Sequence, residues 1–200
     1  MLNQVLRLCS ARRGSASVNL AMVHTLEKLM RIMPAPKTPF AARGDWQVVT
    51  SAVGTALPSD YMAFITRYGT GRVSEFLWVY NPFEENVHLN LLSRYRLILD
   101  SDREIRDSFP DDVPELLFPE VGGLLPWAAT DNGDRLYWRT KGDPDAWPVV
   151  VWESRGPEYE TYAFSMSGFL SGWLKGDIRV PVFRPEAWEP IFEQDPRYGN

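Results

Sequence analysis

Leu57–Phe83, LPSDYMAFITRYGTGRVSEFLWVYNPF, reads as a helix, a glycine stop and a buried strand, and the elements on either side are arranged around it. Leu57-Pro58 followed by Ser59 and Asp60 is a helix start, because proline tolerates the first turn and a Ser or Asp oxygen can accept from the free N–H groups there. Tyr61, Phe64, Ile65 and Tyr68 then follow the spacing of one apolar helix face. Gly69 can take the left-handed conformation of a helix C-cap, and Gly71 adds a second flexible point. Val73–Tyr80 turns β-branched and aromatic without polar alternation, which predicts one strand buried on both faces and ended by Asn81-Pro82.

Upstream, Met22, Val23, Leu26, Leu29, Met30 and Met33 predict an amphipathic helix, with Pro34, Pro36 and Pro39 forming a stiff linker after it. Residues 1–21 carry Arg7, Arg12 and Arg13 and no acid. They read as an extension upstream of the true start, in preference to a transit peptide or a loose arm. Gly44-Asp45 predicts the cap of a short helix carrying Trp46, Val49 and Val53 and closed by Gly54. Downstream, Leu91, Leu92, Tyr95, Ile98 and Ile105 predict a helix over about Asn90–Ser108, with Asp100-Ser101-Asp102 as a point where it could split.

Gly122-Gly123, Asn132-Gly133 and Asp143-Pro144 punctuate short aromatic and β-branched runs at hairpin spacing. These predict antiparallel strands at Leu124–Ala129, Arg135–Arg139, Val149–Glu153 and Glu160–Phe164. A helix capped by Ser165 or Ser167 follows, with Phe169, Leu170, Trp173 and Leu174 as its apolar stripe. The tail 177–200 is expected to run extended against the body. Helices, then a meander, then a helix predict one α+β domain over 22–200, a central antiparallel or mixed sheet with helices mainly on one side.

Composition fits one soluble domain: 200 residues, 44% hydrophobic and 24% charged. No run approaches the roughly eighteen apolar residues of a membrane span. Cys9 is the single cysteine, which rules out an internal disulfide and fits the cytoplasm. Residues 1–48 hold 7 Lys/Arg against 2 Asp/Glu, leaving 14 against 24 for the rest. That acidic remainder repels phosphate backbones, so no nucleic-acid partner is expected, while a basic partner is favoured. The densest acidic window is 81–120, with ten acids against four arginines.

Chemistry-bearing motifs are few. His24 and His88 form no metal spacing, and no H-E-x-x-H, G-x-S-x-G or Walker pattern occurs. Neither a metal nor a cofactor is expected. Asp131-Asn132-Gly133-Asp134 has the look of a calcium loop, but Gly142 stands where the closing glutamate should be, and a type I′ hairpin turn accounts for it better. The pairs Glu84/Glu85 and Asp111/Asp112 could serve acid–base catalysis, although neighbouring side chains diverge and solvated charge is the simpler role. Most of the eight tryptophans sit in apolar runs suited to the core, whereas Trp147 and Trp188, flanked by Pro and acids, are expected to be partly exposed. The candidate partner-binding residues are Glu84, Glu85, Asp111, Asp112, Asp131, Asp134, Asp143, Asp145 and Trp147. Catalytic residues are expected to be absent.

The ordered set L-P-x-D-Y-x-x-F-x-x-x-Y-G-x-G at 57–71, F-L-x-V-x-N-P-F at 76–83, G-G-L-L-P-W-A-x-T-D-N-G-D-x-L-x-W at 122–138, W-P-V-V-V at 147–151 and F-L-x-x-W-L at 169–174 resembles the SUKH superfamily in its Smi/Knr branch. The resemblance covers about residues 46–174. It implies an α+β fold with a central sheet and no catalytic residues. It also implies a binding role: bacterial members are similar to immunity proteins that neutralise a polymorphic toxin, often a nuclease, and fungal relatives regulate cell-wall assembly. A cognate toxin with a basic surface is therefore the expected partner, a regulatory scaffold the second reading and an acid–base hydrolase the third.

Overall fold

The computed structural model describes residues 25–111, 113, 115–156, 158–183 and 188–194. The reading of residues 1–21 lies outside them. Helix α1 occupies 25–32 and buries Leu26 and Leu29, with Met33 just beyond, as its apolar spacing predicts. Helix α2, Trp46–Val53, is capped by Asp45, whose side chain accepts from the N–H groups of Gln47 (2.8 Å) and Val48 (3.4 Å), and it ends at Gly54. Helix α3, Ser59–Tyr68, buries Tyr61, Phe64, Ile65 and Tyr68. Its Gly69 stop has φ 70° and ψ −146°, outside the left-handed helical well expected from the sequence. Only glycine reaches that region at low cost, and a Cβ there would lie 2.0 Å from the Phe40 carbonyl oxygen.

Val73–Tyr80 is not one strand. It is a hairpin of β1, Gly71–Val73, and β2, Leu77–Val79, closed by the loop Ser74-Glu75-Phe76, in which Ser74 and Glu75 sit at φ 55° and 54°. Positive φ at both central positions is the type I′ geometry that matches strand twist. The C-terminal tail holds it, since Ser74 donates its N–H to Ile191 O (2.9 Å) and its hydroxyl to Glu189 O (2.6 Å).

Helix α4, Leu91–Ser108, runs unbroken through Asp100-Ser101-Asp102 and is capped by Asn90, which accepts from Ser93 N–H. Strands β3 (Leu124–Thr130), β4 (Arg135–Arg139), β5 (Val149–Trp152) and β6 (Tyr159–Tyr162) form the predicted meander. The β3–β4 turn differs from the expected type I′: only Gly133 has positive φ, and Gly133 N–H bonds Thr130 O while Thr130 N–H bonds Asp134 O. That is a three-residue loop with a glycine bulge. Helix α5, Met166–Lys175, is capped by Ser165. Strand β7, Phe192–Gln194, brings the tail back to pair with β1.

The sheet is antiparallel throughout, in the order β6-β5-β4-β3-β2-β1-β7. Successive residues of β4 point to opposite faces. Trp138 meets Tyr61 of α3, with ring centroids 5.0 Å apart, whereas Tyr137 donates to Asp102 of α4. Helix α4 thus lies on one face. α3 lies on the other, packed with α5, and α1 joins them through Tyr68 OH to Met33 O (2.6 Å) and a Thr25–Ser167 hydroxyl bond (2.7 Å).

Candidate partner-binding surface

Four of the expected partner-binding residues are taken into the body. Glu84 is 2% exposed; its Oε1 accepts from Asn86 N–H (2.9 Å) and its carbonyl from Asn90 Nδ2 (2.7 Å), which fixes the turn before α4. Asp134, also 2% exposed, accepts from the Thr130 hydroxyl and from the N–H and hydroxyl of Ser154, clipping β4 to both neighbours. Trp147 is buried beside Trp138 and donates its indole N–H to Gly142 O, contrary to the expected exposure, whereas Trp188 is half-buried on Phe76. Asp145 is half-buried and accepts from Ser59 N–H at 2.7 Å, so it caps α3 from a loop 86 residues away. In each case a polar atom finds a backbone or side-chain partner that solvent would otherwise supply.

Glu85, Asp111, Asp131 and Asp143 are exposed, and Asp112 lies outside the described residues. A separate acidic stripe was not singled out by the sequence reading. On α4, Asp100, Glu104 and Asp107 recur at helical spacing, all exposed, and Asp111 follows past the helix end. The i, i+4, i+7 pattern was its signal. The arginines of the same window are each engaged by a near neighbour. Arg94 lies over the Tyr80 ring, and Arg96 bonds Tyr95 and Ala52 O. Arg103 bonds Phe118 O as well as Asp100, and Arg106 pairs with Glu120. Among the described residues Glu85, Glu104, Asp107 and Asp111 have no ion-pair partner, so the outward charge of this window is negative.

Beside the stripe, the α4 face of the sheet carries a row of register partners running Glu193, Arg72, Trp78, Ala129, Arg135, Trp152 and Tyr159 across all seven strands. All are half-buried. Arg72 lies over Trp78 and Arg135 over Trp152, 5.6 and 4.8 Å from the ring centroids, and Trp78 donates its indole N–H to Asp131 (2.8 Å). Row and stripe meet where Asp102 on the inner side of α4 pairs with Arg135 and accepts from Tyr137 OH (3.0 Å). Burial pushes the Asp102 carboxyl up from its ordinary value, while Arg135 and the Tyr137 hydroxyl draw it back. Trp, Tyr and Arg are the side chains that most often anchor protein interfaces.

Asp60 was expected to cap its own helix. Instead it is buried, and its Oδ2 accepts from the N–H (2.8 Å) and hydroxyl (2.9 Å) of Ser167, tying α3 to the first turn of α5. Asp60→Ala is expected to cost about 1.5–3 kcal/mol, and Asp60→Asn less, because the amide oxygen keeps the acceptor. Burial raises the Asp60 carboxyl above 3.8, and the Ser167 bonds offset only part of this. The folded state therefore holds that proton more tightly than the unfolded chain, and this favourable share is lost as pH rises from the unfolded value through the folded one. Asp60→Asn should gain stability relative to the parent across that window; urea midpoints whose difference stays flat between about pH 3 and 7 would contradict it.

Asp60 lies between α3 and α5 whereas Asp102 bonds Tyr137 on the α4 face of the sheet, so these two raised carboxyls do not converge on one site. Among the described residues no three His, Cys, Asp or Glu side chains gather as metal ligands would, and no helix is long and apolar enough to cross a membrane. No curated protein and no solved structure matches the chain. A family model described as SUKH_6, SMI1-KNR4 cell-wall, matches residues 44–170, the span from the α2 cap into α5. With the α+β architecture and the ordered motifs, the match covers more than half of the sequence: this chain belongs to the SUKH superfamily, of the Smi/Knr type.

Proposed function

We propose that the chain is a non-catalytic immunity protein that binds a cognate toxin with a basic surface and neutralises it by occlusion. Membership in a family whose proteins are commonly immunity proteins supports the reading. The observation that carries it is the asymmetry of the 81–120 window, whose four arginines are each engaged by a neighbouring ring, carbonyl or acid while Glu85, Glu104, Asp107 and Asp111 stand outward without an ion-pair partner among the described residues. A nuclease cleft is positive because it holds phosphate. An acidic body steered into it associates fast and excludes substrate without performing a reaction. The neighbouring Trp78, Trp152 and Tyr159 supply the apolar anchors that charge alone lacks.

The test is co-expression with any toxin-like protein encoded near its gene. Wild type is expected to restore growth and to co-purify with the toxin; Glu104→Lys with Asp107→Lys is expected to do neither at matched expression. Rescue undiminished by the double reversal would refute the acidic surface as the contact. The words "cell-wall" in the family description favour a second reading, a regulatory scaffold, which predicts capture of a host protein and no rescue.

A further inference from the structure

The basic N-terminal quarter leaves a feature that toxin binding does not use. The turns of the proline linker and the C-terminal turn of α3 line an open cleft of about 830 Å³. Among the described residues its charged lining is Lys37, Arg43 and Arg67, with no carboxylate, in a chain whose net charge is −5. All three cations are exposed. Among the described residues none of them makes an ion pair or a side-chain hydrogen bond, unlike the arginines of the α4 window. The C-terminal dipole of α3 opposes them with about half a negative charge, which three full positive charges outweigh.

The wall is held in place. Pro36 and Pro39 fix their own φ angles, Phe40 N–H donates to Gln194 Oε1 (2.8 Å) and its carbonyl accepts from Thr70 N–H (2.9 Å). Asn81, fully buried, donates to Ala41 O at 2.9 Å. Ala41 itself sits at φ 50°, a conformation that costs about 1–3 kcal/mol in a non-glycine residue and persists only where the surroundings impose it. The backbone wall of the cleft is thus formed before any ligand arrives, and the ordering cost at binding falls on the three cationic side chains. Its apolar lining is Met30, three alanines and two prolines, and among the described residues it includes no aromatic ring on which a nucleobase could stack.

We propose that this cleft binds a compact phosphorylated small molecule, whose phosphate oxygens are held by Arg43, Arg67 and Lys37. Two guanidinium forks suit the bidentate geometry of phosphate, with the ammonium as a third point charge, and the volume lies within the usual range of small-ligand sites. The site is separate from the acidic stripe, so it goes beyond the proposed toxin binding and stands or falls independently of it.

Titration calorimetry of the full chain with pyrophosphate tests the proposal, with citrate as the carboxylate arm. The expected result is one site per chain, weakened about a hundredfold by Arg43→Ala with Arg67→Ala, and about tenfold by Lys37→Gln. The variants should keep the parent's thermal midpoint, because among the described residues these exposed side chains make no ion pair or side-chain hydrogen bond. Glu104→Lys with Asp107→Lys should bind pyrophosphate as the parent does. Absence of binding at millimolar pyrophosphate, affinity unchanged in the double-arginine variant, or equal affinity for citrate would each overturn the assignment.

Discussion

Trp138→Ala is expected to lower the free energy of unfolding by about 3–5 kcal/mol, the cost of truncating a large, fully buried aromatic. Trp138 has no exposed surface, and its ring lies 5.0 Å from Tyr61, 5.6 Å from Trp127 and 6.4 Å from Trp147. It is where α3, β3, β4 and the loop before β5 meet. Its indole N–H has no hydrogen-bond partner among the described residues, so the loss is one of packing and contact area. Trp138→Phe should recover a large part, because a smaller ring keeps the edge contact with Tyr61. Denaturant midpoints measure both; a cost below about 1 kcal/mol for the alanine variant would show that the cluster is not the centre of the core.

Asp102→Ala is expected to cost about 3–5 kcal/mol as well, for a different reason. Asp102 is 3% exposed and serves as partner to both Arg135 and the Tyr137 hydroxyl. Removing it leaves the Arg135 guanidinium, mostly covered by α4 and Trp152, without its counter-charge. The paired change Asp102→Leu with Arg135→Met should return most of the lost stability, since burial already works against the ionised Asp102 more than its partners favour it. The cycle of the two single variants and the double variant isolates the coupling. Additive effects would mean that the pair contributes nothing as a pair.

The fold was legible wherever its determinants are local. Asp45 and Gly54 bracket α2, Ser165 and Gly176 bracket α5, and the alternating runs between turn residues place β3 to β6 within about two residues of their observed ends. The β1–β2 hairpin was hidden because its turn uses Ser74-Glu75 in place of the Asn-Gly that announces a type I′ turn, with the tail at Glu189 and Ile191 bonding the turn from outside. Asp100-Ser101-Asp102 read as a break in α4 because its polarity is uninformative until Asp102 is known to face Arg135 across 33 residues. The surface was harder for the same reason. Glu84, Asp134 and Asp145 are indistinguishable by type from Glu85, Asp131 and Asp143, and only their partners, among them Ser59 and Ser154, decide which carboxylates turn inward. Lys37, Arg43 and Arg67 belong to separate segments, and their convergence on one cleft comes from the packing of the linker against α3.

Occlusion by an acidic surface makes its most direct prediction in the kinetics of encounter. The association rate of the purified chain with the toxin that co-purifies with it should fall about tenfold or more between low and high salt. At low salt, Glu104→Lys with Asp107→Lys should associate slowly and lose most of that salt dependence. Equal association rates at low and high salt, or a double reversal that associates as fast as the parent, would contradict the account.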